Sequence, residues 1–480
     1  MKPNIFIVGG GITGISCAYK IAKEFNYDVK LFEVESEFGG LSRNFVSGGW
    51  NFEYGPHNIH TQNEQVIVFL KELLGDDLKE RKVNTLLFFR GNKVSYPLKG
   101  FDILTSLRPW EMILTGWDFL VTRINDFINN IEVTQYFDEW IIRRFGKKLY
   151  NIYFAPYVKK VWKIDPHELS SYVGISRIPV LGLRKIILNQ IGLIFKKKLH
   201  PEETAFQKSY LPLHGAGRII DCLKKEAEKY NVSFFANSEV NKFVIKGGKV
   251  VELQVEHVRG INKEIMTFPV NSQDMVISTM PINKLIESIS SKPHNIDIIS
   301  KRLDFTSLVL FYFKVKKDFV FNRSWVYFSD EKTIFNRITE HTFDHCRMVP
   351  EGYVSLCVEI PCIIDDEIWN KSEQELFLII LEQINNYESL PKDSIVGFFK
   401  KQVKYAYPRF RVNFYDHILT IFEYLKSIEN LISLGRQGLF CYANIDQCIQ
   451  MSFDLCNIIN NDPTKIQAIY KVIWENSYPQ

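Results

Sequence analysis

Apolar residues run unbroken from Ile5 to Val8, give way to glycines between Gly9 and Gly14, and return with small residues from Ile15 to Phe25. This pattern predicts a strand over Asn4–Val8, a glycine-rich turn, a helix over Ile15–Phe25, and a second strand over Val29–Phe32 that ends in Glu33. Strand, turn, helix and strand within about 30 residues make a βαβ unit. Further along, alternating runs flank Lys246-Gly-Gly-Lys249 and predict a hairpin within Val240–Val258. Met275–Thr279 reads as a buried strand and Leu308–Val315 as a strand apolar on both faces. Asp102–Ile131 and Pro179–Phe195 read as helical. The interleaving of these pieces predicts an α/β chain whose nucleotide domain is assembled from separated segments.

The first turn satisfies G-x-G-x-x-G. Gly9 permits the tight turn, Gly11 lets the backbone approach a pyrophosphate, and Gly14 lets helix and strand pack closely. The helix N-terminus offers free N–H groups to phosphate, and Glu33 is placed to accept from a ribose hydroxyl. NAD and FAD both bind this motif. The choice of FAD rests on a second glycine pair in Gly39-Gly40-Leu41-Ser42-Arg43, which resembles the second dinucleotide motif of amine-oxidase-like flavoproteins. Toward the end of the chain, Gly435-Arg436 follows an apolar strand, and a helix is expected to begin near Ile445 or Asp446, with Asn444 beside them as a further cofactor-binding candidate. In that flavoprotein class such a helix N-terminus faces the flavin pyrimidine and stabilises negative charge on it.

Composition narrows the setting. With 46% hydrophobic and 24% charged residues, the 480-residue chain has ample material for a core. A formal charge of +4 fits an anionic small-molecule ligand and gives no case for nucleic acid. Eight cysteines without a C-x-x-C pair argue against a disulfide framework or zinc site, despite the spacing of His341 and His345. No apolar run reaches the roughly 18 residues of a membrane span, and the opening Met1-Lys2-Pro3-Asn4 leaves no room for a signal peptide, so a cytoplasmic enzyme is expected.

Beyond these motifs, the chain resembles the UDP-galactopyranose mutases through a series of short segments in order. Tyr54-Gly-Pro-His57-Asn-Ile-His60-Thr61 resembles that family's Tyr-Gly-Ala-His-x-x-His-Thr. Gly146 to Trp162, followed by Asp165-Pro-His-Glu-Leu169, resembles its aromatic nucleotide-binding stretch, and Ser176-Arg-Ile-Pro-Val180 the entry to its mobile lid. Phe328-Ser-Asp-Glu331 and Asn336-Arg337-Ile-Thr-Glu340-His341 resemble its phosphate-binding arginine segment. Val358-Glu359-Ile-Pro361 is similar to its Arg-Glu-Tyr-Pro, and Gly435 to Asp446 to its C-terminal flavin and substrate segment.

The resemblance implies reduced FAD acting as a nucleophile. Flavin N5 attacks the anomeric carbon, UDP leaves, and it returns after the sugar recloses in the other ring size. NAD(P)H is a candidate external reductant. It further implies that Arg337 clamps the substrate diphosphate with Tyr442, that Tyr157 and Trp162 orient the nucleotide, that His57 and His60 lie beside the flavin, and that Glu359 supports Arg337 or the sugar hydroxyls. The expected architecture is an FAD-binding Rossmann-like domain of the GR2 type (1–62, 205–300 and 405–480), an inserted helical region (63–204), and a mixed or antiparallel sheet substrate domain (301–404).

Three features depart from the pattern. The family's second lid arginine is displaced here to Arg184, Asn444 stands where many bacterial members carry Asp, and extra residues fall within Phe101–Glu139 and Gln190–Ser209. The apolar and basic stretch Lys185–Leu199 reads as a solvated helix end rather than a membrane-surface segment. The competing reading is an oxidase or dehydrogenase of the amine oxidase or protoporphyrinogen oxidase type.

Overall fold

The computed structural model describes residues 2–81, 83–96, 106–129, 134–178, 209–316, 320–341 and 347–472. A five-stranded parallel sheet runs in the order Leu431–Ser433, Met275–Ser278, Asn4–Val8, Asp28–Phe32 and Ser233–Phe235. Strands of a parallel sheet are covered on both faces, which is why these segments are nearly continuous apolar runs. The helix Ile12–Glu24 follows the first strand directly and packs against Gly217–Glu228 and Ile445–Asn461, so the first and last parts of the chain share one core. An antiparallel meander of Ser238–Lys246, Lys249–Arg259 and Asn262–Pro269 extends the expected hairpin by one strand.

A second sheet has seven strands, in the order Ile395–Pro408, Phe305–Val315, Val354–Cys362, Arg337–Glu340, Trp325–Phe328, Thr85–Phe89 and Asn92–Tyr96. Its pairings are antiparallel except between Trp325–Phe328 and Thr85–Phe89. The fold is thus mixed α/β, with a Rossmann-like domain and a largely antiparallel second sheet.

Within the stretch read as helical, 63–204, the chain contributes a hairpin to this second sheet. Apolar Leu86-Leu-Phe-Phe89 runs into Arg90-Gly91, both at positive φ (50° and 78°), and that turn returns the chain on itself. The helix expected from Asp102 is described over Pro109–Asn129. The helix expected over Pro179–Phe195, and with it Arg184 and Lys185–Leu199, lies outside the described residues.

Candidate active site

The two glycine turns meet as the sequence requires. The Gly39 N–H donates to the Gly10 carbonyl at 2.7 Å, and a Cβ on Gly40 would lie 3.3 Å from the Gly11 Cα. The three glycines of the first turn answer to different constraints. Gly9 has φ +103°, and a Cβ on Gly14 would stand 2.0 Å from the Gly9 carbonyl oxygen, so strand and helix touch there. Around Gly11 nothing lies within 4 Å of a built Cβ, which leaves open space where a pyrophosphate would approach. Glu33 is buried; its oxygens accept from the Gly10 N–H (2.7 Å) and the Glu35 N–H (3.0 Å). Burial pushes its carboxyl above the usual range while these two donors hold it down. Each oxygen keeps a lone pair for a ribose hydroxyl.

Arg43 reaches the Tyr54 hydroxyl at 3.1 Å, its guanidinium 5.0 Å from that ring, and Leu41 packs in the same aromatic cluster. Across the cradle Gly435 has φ +82° and would place a Cβ 3.0 Å from the Thr13 hydroxyl. The last long helix starts at Ile445, with the Asn444 N–H donating to Gln447 at 2.9 Å. Asp446 stands in its first turn, where burial raises its carboxyl against bonds from the Thr61 hydroxyl and backbone N–H groups. These residues fit a dinucleotide with a long ring system: two close backbone approaches, a ribose acceptor and a helix N-terminus.

The cationic half of the site is built by strand register. Tyr327, Arg337 and Glu359 occupy one row across three neighbouring strands. Arg337 Nε and Nη2 donate to the two Glu359 oxygens at 2.6 and 2.8 Å, a bidentate pair. Glu359 is 1% exposed and Arg337 19%, so the pair is anchored in the sheet and opens to the cleft through the arginine. Gly55 makes this possible, since a Cβ there would come within 3.2 Å of Glu359 Oε1. Tyr407 completes the group: its hydroxyl accepts from Arg337 Nη2 and donates to Glu359 Oε2, both at 3.3 Å.

A chain of rings joins this cluster to the glycine cradle. Tyr407 and Tyr442 stack 5.6 Å apart at 2°, and the Arg436 guanidinium lies 4.1 Å from the Tyr442 ring. Arg436 itself donates to the Ala443 and Ala406 carbonyls. On the other side of Arg337, Tyr327 meets Tyr96 at 4.6 Å, and Tyr157 stacks on Tyr153 at 6.0 Å. Burial raises the Tyr157 hydroxyl far above its ordinary range, with Tyr153, Tyr327 and Tyr96 adding to the effect and Arg337 opposing it. Trp162, on the same helix, is half-buried, and its carbonyl accepts from the Thr306 hydroxyl at 3.3 Å.

His57 faces Arg337 and Arg436. Burial, with those two cations, brings it down to about 4, so the ring is neutral at pH 7. Its Nδ1 lies 3.1 Å from the Gly55 carbonyl, which can only accept, so Nδ1 carries the proton and Nε2 is the basic nitrogen. His60 packs edge-on against Trp325 at 6.2 Å; burial and the Arg81 charge bring it to about 4. Glu53, His57, Trp325 and His341 line a small cavity behind the loop. Burial raises Glu53 to about 7 and lowers His341 to about 3.

Sequence reading missed four contributors. Tyr327 joins the site by register with Arg337, Tyr96 by its ring contact with Tyr327, and Tyr407 by its hydroxyl, although the alternation Tyr405-Ala-Tyr407 was a visible signal. The fourth is Lys160. It is 8% exposed and donates to the Phe328 carbonyl (3.0 Å), the Asp330 carbonyl (2.7 Å) and the Thr333 hydroxyl (2.6 Å). It therefore bolts the helix of Tyr157 and Trp162 to the loop that leads into Arg337.

Residues 7–73 match the NAD(P)-binding Rossmann-like domain family. A probable UDP-galactopyranose mutase of Klebsiella pneumoniae is 29% identical over 184 residues, 37% of this chain and 45% of that protein. The chain thus spans about half the length of the curated relative it matches. Among solved structures, reduced UDP-galactopyranose mutase superposes with a TM-score of 0.78 at 21% identity, covering 98% of both chains. A putative protoporphyrinogen oxidase from Exiguobacterium superposes with 0.69 at 14% identity, covering 96% of this chain and 99% of that one. In fold over nearly its whole length, and in sequence over the matched third, the chain is like the UDP-galactopyranose mutases.

Proposed function

We propose that the protein is an FAD-dependent nucleotide-sugar mutase that interconverts pyranose and furanose forms of a UDP-linked hexose. The observation that carries this reading is the Arg337–Glu359–Tyr407 cluster, linked through Tyr442 and Arg436 to the glycine cradle. Cleaving an anomeric bond to a diphosphate builds negative charge on the leaving group. A fixed cation and hydroxyl donors aimed there stabilise that charge without reorganising.

Bound in its reduced form, FAD supplies a nucleophile for the anomeric carbon. The chain's own groups then divide the remaining work. Arg337 holds the diphosphate with the guanidinium edge that Glu359 does not occupy, and the Tyr442 hydroxyl donates to the same group. Tyr157 and Trp162 form the wall that orients the nucleotide, with Tyr96 and Tyr327 beside it. Neutral His57 presents Nε2 as an acceptor for a proton on the flavin or the opening sugar. Gly9, Gly11, Gly14, Gly39 and Gly40 take the pyrophosphate of FAD, Glu33 its ribose, and the Asn444–Asp446 helix start its ring.

The test is to reduce the flavin-loaded protein with dithionite, add UDP-galactopyranose, and follow furanose formation by chromatography. Turnover that requires reduced flavin is expected, together with a shift of the flavin spectrum on adding UDP. A competing reading, substrate oxidation, draws on the oxidase-like neighbour in fold. It would appear as substrate-dependent flavin bleaching and peroxide release in air, with no response to UDP.

A further inference from the structure

The helix Pro109–Asn129 is built inside out. Surface helices of globular proteins turn an apolar stripe to the core and charges to water. Here the stripe of Trp110, Ile113, Trp117, Leu120 and Ile124 recurs at helical spacing and is 55%, 69%, 68%, 51% and 57% exposed. Leu114 (46% exposed) and Val121 (39% exposed) widen it. Thr115, on the opposite side, is 2% exposed. The charges lie at half-buried positions and are engaged there: Glu111 with Arg90 at 2.9 Å, Asp118 with the Lys148 N–H at 2.8 Å, and Arg123 with Asp126 at 3.1 Å. From Pro109 to Asp126 no exposed position carries a charge.

A contiguous apolar face of this extent marks a contact with something apolar. Its surroundings say what. Arg108 is exposed at the start of the helix, its guanidinium 5.2 Å from the Trp110 ring. Lys147 and Lys148 are exposed beside the middle of the helix, where the Lys148 N–H meets Asp118. Cations thus flank an uncharged face that carries two tryptophans, a composition suited to an anionic lipid surface. Among the described residues no helix is long and apolar enough to cross a membrane, so the contact is in-plane. A face one helix wide, roughly 10 Å by 30 Å, falls short of the about 800 Å² per partner that a standard protein interface buries.

We propose that this helix lies in the plane of an anionic membrane surface, with the Trp110–Ile124 stripe at the acyl boundary and Arg108, Lys147 and Lys148 on the headgroups. The test is co-sedimentation of the flavin-loaded protein with phosphatidylcholine vesicles, with and without phosphatidylglycerol. Binding to the mixed vesicles is expected, weaker on phosphatidylcholine alone, with a blue shift of tryptophan emission. The exposed-site double variant Ile113→Glu/Leu120→Glu should retain its flavin and melting temperature while losing about tenfold or more of the partition. No sedimentation with either vesicle, or equal sedimentation of the double variant, would overturn the proposal. A concentration-dependent dimer in analytical ultracentrifugation that the double variant abolishes would overturn it too, by assigning the face to a second copy of the chain.

Discussion

On the proposed reading, the glycine cradle and the arginine cluster meet the same demand, a diphosphate to be held, by opposite means. The cradle is local: residues 9 to 14 and 39 to 40 approach through backbone, and its dipoles come from N–H groups and a helix start. The arginine cluster is global. Arg337, Glu359, Tyr407 and Tyr442 come from separate segments, and a charged side chain does the holding. A backbone site tolerates no added volume but needs no partner. A side-chain site tolerates reshaping but collapses electrostatically when one partner is removed.

The largest effect expected from this contrast is Gly14→Val. Its Cβ would overlap the Gly9 carbonyl oxygen at 2.0 Å, and forcing strand and helix apart costs about 3 kcal/mol or more. Thermal melts of the apo-protein should show the loss. Gly11→Ala sharpens the point. With nothing within 4 Å of its Cβ, the variant should melt like the parent, yet lose flavin affinity by roughly tenfold or more because the methyl occupies the phosphate approach. Equal flavin affinity would remove Gly11 from the cradle.

In the arginine cluster, Glu359→Ala leaves a half-buried guanidinium without its carboxylate, at a cost of about 2–3 kcal/mol, below that of a fully buried pair because the arginine opens to the cleft. Replacing both partners, Arg337→Met with Glu359→Leu, should recover much of that stability while leaving UDP affinity abolished. Urea denaturation and UDP titration of the same two proteins separate the folding role of the pair from its binding role. If UDP bound the double variant as tightly as the parent, the diphosphate assignment would be wrong.

The same difference governs what could be read from sequence. The cradle was legible nearly residue by residue, because a glycine at a fixed offset from a strand means one thing. Arg337, Glu359 and Tyr442 were reachable only through resemblance; their spacing of 22 residues or more carries no geometric signal. Tyr327 and Tyr407 were not read at all, since only the folded sheet brings them to Arg337, the first by register and the second by the reach of its hydroxyl. Thr85–Tyr96 was absorbed into a helical region for a related reason. A short apolar run is ambiguous between strand and buried helix until its sheet partner, Trp325–Phe328, is known.

The histidine loop is the joint between the two regions, and its titration tests how buried that joint is. His57, His60 and His341 are held below their usual value, at about 4, 4 and 3. Between pH 6.5 and about 4 the unfolded chain binds more protons at these sites than the folded one, so stability should fall as pH falls through that window. Glu53, raised to about 7, acts in the opposite sense over about pH 4.5 to 7 and offsets part of the loss. His341→Gln should flatten the slope of urea-derived stability by up to about 1.4 kcal/mol per pH unit, one proton's worth. An unchanged slope would mean that the ring is hydrated and titrates normally.

Tyr407→Phe is the smallest change and the most discriminating. It removes one hydroxyl that accepts from Arg337 and donates to Glu359 at 3.3 Å, while keeping the ring stacked on Tyr442. Long bonds of this kind contribute roughly 0.5–1.5 kcal/mol, so the melting temperature should move by only a few degrees. The bidentate pair survives, and a cation fixed by Glu359 alone should still hold a diphosphate. If Tyr407 only buttresses the arginine, UDP affinity falls by less than about tenfold and the turnover number is unchanged. If the hydroxyl turns its one proton from Glu359 to the leaving group during the reaction, the turnover number falls while affinity holds, because a donor matched to developing charge acts on the transition state rather than on the bound nucleotide. The two outcomes place the boundary between scaffold and catalytic cleft at a single oxygen atom, where the sheet-built half of the site meets the stacked rings that lead back to the cradle.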